Sequence, residues 1–299
     1  MKNLFFFAFL ITTIFACKSE GTTGETAVSP EIAKLEAEVE AKATPENSKA
    51  LEAAYLAHIA ANPNDHETAS RYLYRAAELQ YRMNRYSGAV KLLNQALKDH
   101  YAGSNTPMNA LFLGTIYKEK LKNGVAAAAI YQTFLQAFPN HEKAAAIKKD
   151  YGSEPTMDAK IVDFGNRLMN DSTNRIDYRV ANDFIGLCEI NALMLPKDAK
   201  SGDYLHKAGE TARSLRSFPK ALEIYDWIIM KYPDHPKAAQ ALFLKAFTYD
   251  NDLKKVDEAR ALYTEFLNKY PNDDFADDTK FLLENLGKDD EEIINSFGK

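Results

Sequence analysis

The hydrophobic positions of this chain recur with helical spacing, and one pattern is written twice in close succession. Segments 220–236 and 258–274 share a set of mostly apolar positions that is followed by a proline. The set recurs at steps of about 3, 4, 7, 8 and 11 residues, which places its members on one face of an α-helix. Pro233 and Pro271 then end the helix, because proline lacks the N–H that would continue the hydrogen-bond ladder. The shared positions are 221, 224, 225, 228, 229 and 232, and 259, 262, 263, 266, 267 and 270.

Further copies of this pattern give the chain a fixed period. It recurs before Tyr101 and Pro139 and, more faintly, before Pro63 and Pro196. The terminators therefore stand at 63, 101, 139, 196, 233 and 271, with intervals of 38, 38, 57, 37 and 38 residues. Self-similarity of this length is typical of a solenoid of helical hairpins, in which stacked neighbours bury a face that one hairpin cannot bury alone.

A second type of helix is predicted before each proline-ended helix. The segments YLYRAAEL, NALFLGTIY, YLHKAGETA and ALFLKAFTY each carry Gly or Ala where two paired helices would approach closely. Together with the alanine, aromatic and proline positions of the second helix, they resemble the tetratricopeptide repeat. Segments 69–102 and 202–235 match its 34-residue length without gaps. The resemblance covers about residues 45–285 and implies an all-α fold, a right-handed superhelix of stacked hairpins.

The single 57-residue interval predicts extra material between two arrays of repeats. DAKIVDFGNRLMN reads as an additional helix between polar loops, and we place a hinge between subdomains there. The predicted organisation is N-terminal repeats in 31–145, an irregular insert in 146–178, and C-terminal repeats with an acidic capping helix in 179–299.

The first residues are typical of an exported protein. A lysine is followed by an apolar run that ends at Phe15, shorter than the roughly 20 residues that span a bilayer. This is the pattern of a secretory signal peptide, residues 1–16. Its end, IFAC, resembles the lipobox of bacterial lipoproteins, although Phe15 occupies a position that is normally small. The resemblance implies lipid attachment at Cys17; an uncleaved anchor or a simple signal peptide is the alternative.

The residues after Cys17 are consistent with a lipid anchor. Residues 17–30 are polar and predict a flexible tether. By the same resemblance, Lys18 after the cysteine implies the outer membrane. We expect the periplasmic face, and exposure at the cell surface stays open.

Composition and motifs exclude several classes of function. A net charge of −5 gives no electrostatic reason to expect binding to nucleic acid, which favours a basic face. No phosphate loop, metalloprotease motif or serine-hydrolase motif is present, so we expect no enzyme and no cofactor. His66, His141 and His235 each follow an inter-repeat proline, and a turn residue at a helix start explains them better than a metal site. Cys188 lies in an apolar helix pattern typical of a buried structural cysteine.

The tetratricopeptide resemblance also implies a binding surface, because in that family the first helices line the concave face. Tyrosine and arginine are enriched in binding hot spots, although Tyr74 and Tyr81 have the alternative of packing between repeats. The lysine and asparagine set that clamps C-terminal carboxylates in chaperone-binding members is absent, which argues against a chaperone-tail ligand. The candidate partner-binding residues are Arg71, Tyr74, Glu78, Tyr81, Arg82, His206, Glu210 and Arg213.

These features favour a lipid-anchored interaction scaffold of the bacterial envelope that binds other proteins through its concave face and the membrane through its lipid. Its tyrosine-rich helices resemble those of BamD-like and CpoB-like outer-membrane lipoproteins. The first resemblance implies a role in outer-membrane protein assembly, and the second a role in coordinating Tol–Pal and wall synthesis. A glycan-binding lipoprotein is a further alternative, but the single tryptophan, Trp227, is predicted to pack in a second helix.

Overall fold

The computed structural model describes residues 29–170 and 175–288. Within these ranges the chain is all-α apart from one ladder of two-residue strands, Met169–Asn170 (β1) and Arg175–Ile176 (β2). The helices are Pro30–Ala41 (α1), Pro45–Ala61 (α2), His66–Arg82 (α3), Tyr86–Asp99 (α4), Thr106–Thr115 (α5), Gly124–Ala137 (α6), Ala144–Tyr151 (α7), Met157–Asn166 (α8), Tyr178–Met194 (α9), Ser201–Ser214 (α10), Phe218–Lys231 (α11), Lys237–Phe247 (α12), Val256–Lys269 (α13) and Ala276–Asn285 (α14). Short π-helical turns, Ile116–Lys120 and Thr248–Asp252, extend α5 and α12.

The helices form stacked antiparallel hairpins, which confirms the all-α solenoid predicted from the sequence. The pairs α3–α4, α5–α6, α10–α11 and α12–α13 pack together, and each also contacts the next helix along the chain. The second helices end at Asp99, Ala137, Lys231 and Lys269, two residues before the predicted terminators. None of the described helices combines the length and the apolar composition needed to cross a bilayer.

Small residues set the distance between the two helices of a hairpin. Ala89, Ala221 and Ala259, at equivalent positions of three second helices, are completely buried. In α5, a Cβ added to Gly114 would lie 2.9 Å from Cζ of Tyr131 in α6. Side chains larger than a hydrogen or methyl at these positions have no room unless the helices move apart.

The turn inside each hairpin uses a left-handed backbone at a non-glycine residue. Asn84, Lys122, Arg216 and Lys254 have φ values of 58°, 54°, 58° and 55°. This conformation brings Cβ close to the following carbonyl oxygen and costs an ordinary L-residue about 1–2 kcal/mol, whereas asparagine tolerates it better. Each hairpin therefore carries a small local strain at its tip.

We expect Lys254→Gly to raise the free energy of unfolding by about 0.5–1 kcal/mol, because glycine removes the steric cost while its larger unfolded-state entropy offsets part of the gain. Lys254 is exposed, so no buried packing changes. Urea unfolding followed by circular dichroism measures the effect. Asn84→Gly is the matched control, and a gain there as large as the gain at Lys254 would contradict this account.

Two of the histidines that follow inter-repeat prolines lie just before the next helix, His141 before α7 and His235 before α12. Nδ1 of His141 accepts a hydrogen bond from the backbone N–H of Lys143 at 3.2 Å, and His235 does the same for Lys237 at 3.1 Å. Asp273 stands two residues after its own proline and caps the backbone N–H two residues on in the same way. These two histidines take the place of the aspartate, which confirms the interpretation as turn residues for His141 and His235. His66 is the first residue of α3, and Asp65 caps that helix instead.

The insert contains the predicted extra helix, α8, together with α7 and the β1–β2 ladder, which were not predicted. The buried core is continuous past the insert, since one cluster runs from Ile32 to Ala241. Helix α9 packs on α4 and α6. Side-chain contacts also join the ends of α4 and α11, where Lys98 Nζ lies 4.6 Å from the ring centroid of Trp227 and Lys231 pairs with Asp99 at 2.8 Å. The two arrays are therefore packed side by side. The predicted hinge stays a prediction.

The buried residues confirm two further predictions, those for Cys188 and Trp227. Cys188 is completely buried, and burial raises the pKa of its thiol. Trp227 is 5% exposed, in the second helix α11. Cys17, the signal peptide and nearly all of the tether lie outside the described residues.

Candidate functional site

First helices of successive hairpins line a partly open cavity of about 600 Å³ in the C-terminal array. We call it the α10–α12 groove. Its walls come from α10 and α12, with one residue just before α10 and one just before α14. The lining residues are Lys200, Asp203, Tyr204, His206, Lys207, Glu210, Lys237, Gln240, Phe243, Leu244 and Phe275.

Helical spacing brings the polar side chains of each wall together. On α10, His206 and Lys207 stand three and four residues after Asp203, and Glu210 stands four and three residues after them, so the four side chains share a face. On α12, Lys237, Gln240 and Leu244 repeat the same spacing. The groove is therefore a direct product of two neighbouring helical faces.

The apolar part of the groove is aromatic. Phe243 of α12 stacks on Phe275 with ring centroids 4.7 Å apart and an angle of 28° between the planes. Both rings are partly exposed. Tyr204 is 7% exposed, and its hydroxyl donates to Oδ1 of Asp158 at 2.7 Å, so that α8 braces this wall of the groove. A ligand with an apolar side chain would find a preformed surface here.

His206 and Glu210 form a dyad in the α10 wall. Nδ1 of His206 lies 3.1 Å from Oε2 of Glu210, and His206 is 6% exposed. This hydrogen bond lowers the pKa of the Glu210 carboxyl, which therefore stays charged at neutral pH. Nε2 of His206 is buried without a hydrogen-bond partner among the described residues. The dyad holds the imidazole in one orientation.

The groove also holds two cations on facing walls that no described carboxylate neutralises in a salt bridge. They are Lys207 on α10 and Lys237 on α12; Lys237 Nζ donates to Oε1 of Gln240 at 2.7 Å. The third lysine, Lys200, is bonded to Asp158. Both lysines also help to lower the pKa of the Glu210 carboxyl, so they share the groove with a negative charge. The groove thus combines aromatic surface with two cations that have no salt-bridge partner among the described residues.

Of the C-terminal residues predicted to bind a partner, the structure brings two into this groove, His206 and Glu210. Arg213 points to a different contact. Its Nε donates to Oδ2 of Asp252 at 2.6 Å and its guanidinium lies 4.8 Å from the ring centroid of Phe247. These contacts join α10 to the end of α12, so Arg213 has a clear structural role.

The N-terminal candidates lie on α3, and the two tyrosines pack between repeats. The rings of Tyr74 and Tyr81 each lie 5.4 Å from the ring of Phe112 on α5. Burial raises the pKa of Tyr74 to about 12. Tyr74 and Tyr81 therefore pack between repeats, which is the alternative role considered for them above. Whether they also touch a partner stays a prediction.

The other three α3 candidates differ in their surroundings. Arg71 lies 5.7 Å from the ring centroid of its neighbour Tyr72. Burial raises the pKa of the Glu78 carboxyl, an effect that Arg82 partly offsets. Arg82 itself is exposed.

Sequence reasoning missed the α12 wall. Lys237, Phe243 and Phe275 were not candidates, because concave positions were assigned only for segments 69–102 and 202–235. The predicted first-helix segment ALFLKAFTY lies in α12. Extending its helical pattern by one turn toward the N-terminus of α12 would have reached Lys237. Nothing in the sequence marks the stacking of Phe275, which precedes another helix, against Phe243.

A second polar cluster lies where α3 begins and α4 ends. Nδ1 of His66 is 3.1 Å from Nδ1 of His100, and His100 is 6% exposed. Only one of the two nitrogens can donate, so the pair is stable when at least one ring is neutral. Asp65, Asp99 and Lys231 are the other charged groups that act on His100. Among the described residues, no group of three His, Cys, Asp or Glu side chains could hold a metal ion.

We expect this pair to make stability depend on pH. Burial and the charge of His66 lower the pKa of His100 in the folded state, so the unfolded chain binds the proton more readily. The contribution of His100 to the free energy of unfolding should then be fully present above the ordinary histidine pKa of about 6.5. It should decrease as the pH drops below that value. Urea unfolding at pH 7.5, 6.5, 5.5 and 5.0 measures this. His100→Asn should flatten the profile, and an unchanged profile would contradict the assignment.

A comparison with protein-family models agrees with this architecture. Residues 71–104 and 240–273 each match a sequence model of the tetratricopeptide repeat. Among solved structures, one similar chain is described as "TPR2AB-domain:pHSP90-complex of yeast Sti1". It shares 18% identity, the alignment covers 85% of this chain and 97% of that one, and the TM-score is 0.31. No curated protein matches the sequence. The two family-model matches identify tetratricopeptide repeats within the all-α solenoid, and such repeats bind other proteins.

Proposed function

We propose that this α-solenoid of tetratricopeptide repeats is a lipid-anchored scaffold of the bacterial envelope, which holds a partner protein in the α10–α12 groove. The observation that carries the proposal is the groove itself, a cavity of about 600 Å³ lined by first helices. Two of the binding residues predicted from the sequence, His206 and Glu210, line it. A groove of this size, in which aromatic surface lies beside polar and charged side chains, can hold a segment of a partner protein.

The groove is suited to holding a partner and offers little for catalysis. The His206–Glu210 dyad could orient a base, but no serine, threonine or cysteine lines the groove beside it. The buried thiol of Cys188 has a raised pKa, which disfavours the reactive thiolate. Aromatic rings beside two lysines are instead the residue types that bind an apolar segment flanked by negative charge.

Lipid attachment at Cys17 is the part of the proposal that concerns location. Cys17→Ser should release the protein from membranes, because it removes the residue that would carry the lipid. A single acyl chain gives only marginal membrane binding, so stable anchoring needs more than one. The fold should be unchanged, as judged by circular dichroism of the purified variant. If the variant stays in the membrane pellet after a high-salt wash, lipid anchoring at this residue is wrong.

The partner is tested by crosslinking in intact cells, followed by capture of the tagged protein and mass spectrometry. The double variant Lys207→Glu, Lys237→Glu should lose its main crosslinked partner, because both groove cations are reversed. A charge-matched control is Lys91→Glu, Lys254→Glu, which alters two exposed lysines away from the groove. Equal capture by both double variants would exclude the groove as the binding site.

The identity of the captured protein separates the two envelope roles. Subunits of the outer-membrane β-barrel assembly machinery would favour the BamD-like role. Components of the Tol–Pal system or wall synthases would favour the CpoB-like role.

A further inference from the structure

The sequence of residues 289–299, DDEEIINSFGK, complements the α10–α12 groove. These residues lie outside the described ranges. Four consecutive acidic residues, 289–292, are followed by Ile293, Ile294 and, three residues later, Phe297. The groove is lined by Lys207 and Lys237, neither of which has a salt-bridge partner among the described residues, and by the Phe243–Phe275 stack; the carboxylates of Asp203 and Glu210 share the α10 wall. Acidic and apolar residues of the segment are therefore matched by lysines and aromatic rings of the groove.

The segment also begins within reach of the groove. Phe275, at the start of α14, lines the groove, and α14 then runs for ten residues to Asn285. A helix of that length is about 15 Å long. The eleven residues 289–299 can span about 36 Å when extended. Their length is therefore more than twice what a return along α14 requires.

We propose that residues 289–299 bind in the α10–α12 groove of their own chain, with the acidic residues near Lys207 and Lys237 and an apolar side chain against Phe243 and Phe275. This inference rests on the proposed function, since the segment would occupy the site that we assign to the partner. The partner must then displace it. The segment would compete with partners for the groove and so lower their apparent affinity. A partner whose own segment matches the groove better would displace it.

Zero-length carbodiimide crosslinking of the full chain carrying Cys17→Ser tests the contact directly. We expect amide crosslinks from residues 289–292 to Lys207 or Lys237, identified by mass spectrometry. They should be unaffected by tenfold dilution. They should vanish when the four acids are replaced by their amides, Asp289→Asn, Asp290→Asn, Glu291→Gln and Glu292→Gln. Crosslinks confined to the neighbouring Lys280 and Lys288 would overturn the proposal.

Mixing ¹⁴N- and ¹⁵N-labelled chains before crosslinking distinguishes one chain from two. Crosslinks that join only like-labelled peptides support binding within a chain. Mixed-label crosslinks in statistical proportion would mean that the segment occupies the groove of a second copy, which would overturn the proposal as stated.

A labelled peptide, DDEEIINSF, provides the affinity measurement. It should bind to the four-amide variant at least ten times more tightly than to the same variant carrying Lys207→Glu and Lys237→Glu. With Lys91→Glu and Lys254→Glu instead, affinity should change less than twofold, and equal loss in both would overturn the proposal. If the groove variants lose the envelope partner but residues 289–292 never crosslink to the groove, this inference fails while the proposed function stands.

Discussion

Gly209→Ala is expected to lower the free energy of unfolding by about 2–3 kcal/mol, the upper part of the range for overpacking a core. A Cβ at this position of α10 would lie 2.5 Å from Cε1 of Tyr225 in α11. Tyr225 is completely buried, so its ring cannot move aside without displacing other core side chains. The added methyl must therefore push the two helices of the hairpin apart.

The same substitution in α9 is the matched control and should act in the opposite direction. A Cβ on Gly186 meets no atom within 4 Å. Alanine there should raise the free energy of unfolding by about 0.5–1 kcal/mol, because glycine in a helix interior loses more backbone entropy on folding. Urea denaturation of both variants measures the pair. If both substitutions changed the free energy of unfolding in the same direction, the close contact between α10 and Tyr225 would not explain the effect of Gly209→Ala.

Tyr74→Ala is expected to lower the free energy of unfolding by about 2–3 kcal/mol, somewhat less than the loss of a fully buried aromatic ring. Its ring packs against Phe112, which is 8% exposed and joins α3 to α5. Truncation would leave a cavity between two repeats. Thermal and urea unfolding would register it without any partner present.

Arg82→Ala is the matched control on the same helix, since Arg82 is exposed at the end of α3. Its effect on stability should stay within about 0.5 kcal/mol. Crosslinked partner capture by both variants then separates packing from binding. If Tyr74→Ala kept full stability and lost the partner, α3 would be a binding surface and our account of its packing would be wrong.

The sequence predicted the repeating part of the fold well, because the core faces of long amphipathic helices leave a strong periodic signal. The second helices end two residues before the terminators read from the sequence, and α8 lies where an extra helix was expected. Helix α7 was missed because it has eight residues and buries only Ala144, so that no apolar face is visible. The strands β1 and β2 have two residues each, too few to show alternation.

The contacts between the two arrays could not have been predicted from the sequence. Lys98, Asp99 and Lys231 look like ordinary solvated residues of a helix end, and no local pattern says which distant helix they face. The groove was found only in part for a similar reason. Its α10 wall follows from the spacing within one helix, whereas its aromatic surface depends on how Phe243 and Phe275 meet in space.

The side-by-side packing of the arrays has a consequence for how the chain folds. In most solenoids each repeat contacts only its neighbours, so folding can start anywhere and spread, and repeats can be lost one at a time. Here the hydroxyl of Tyr101 donates to the carbonyl of Met194 across 93 positions of sequence, at 2.7 Å. Closing so long a loop costs entropy before it is rewarded, which slows folding and raises contact order. The middle of this molecule should therefore form late and unfold as one cooperative unit, while α1 and α14 fray independently at the two ends.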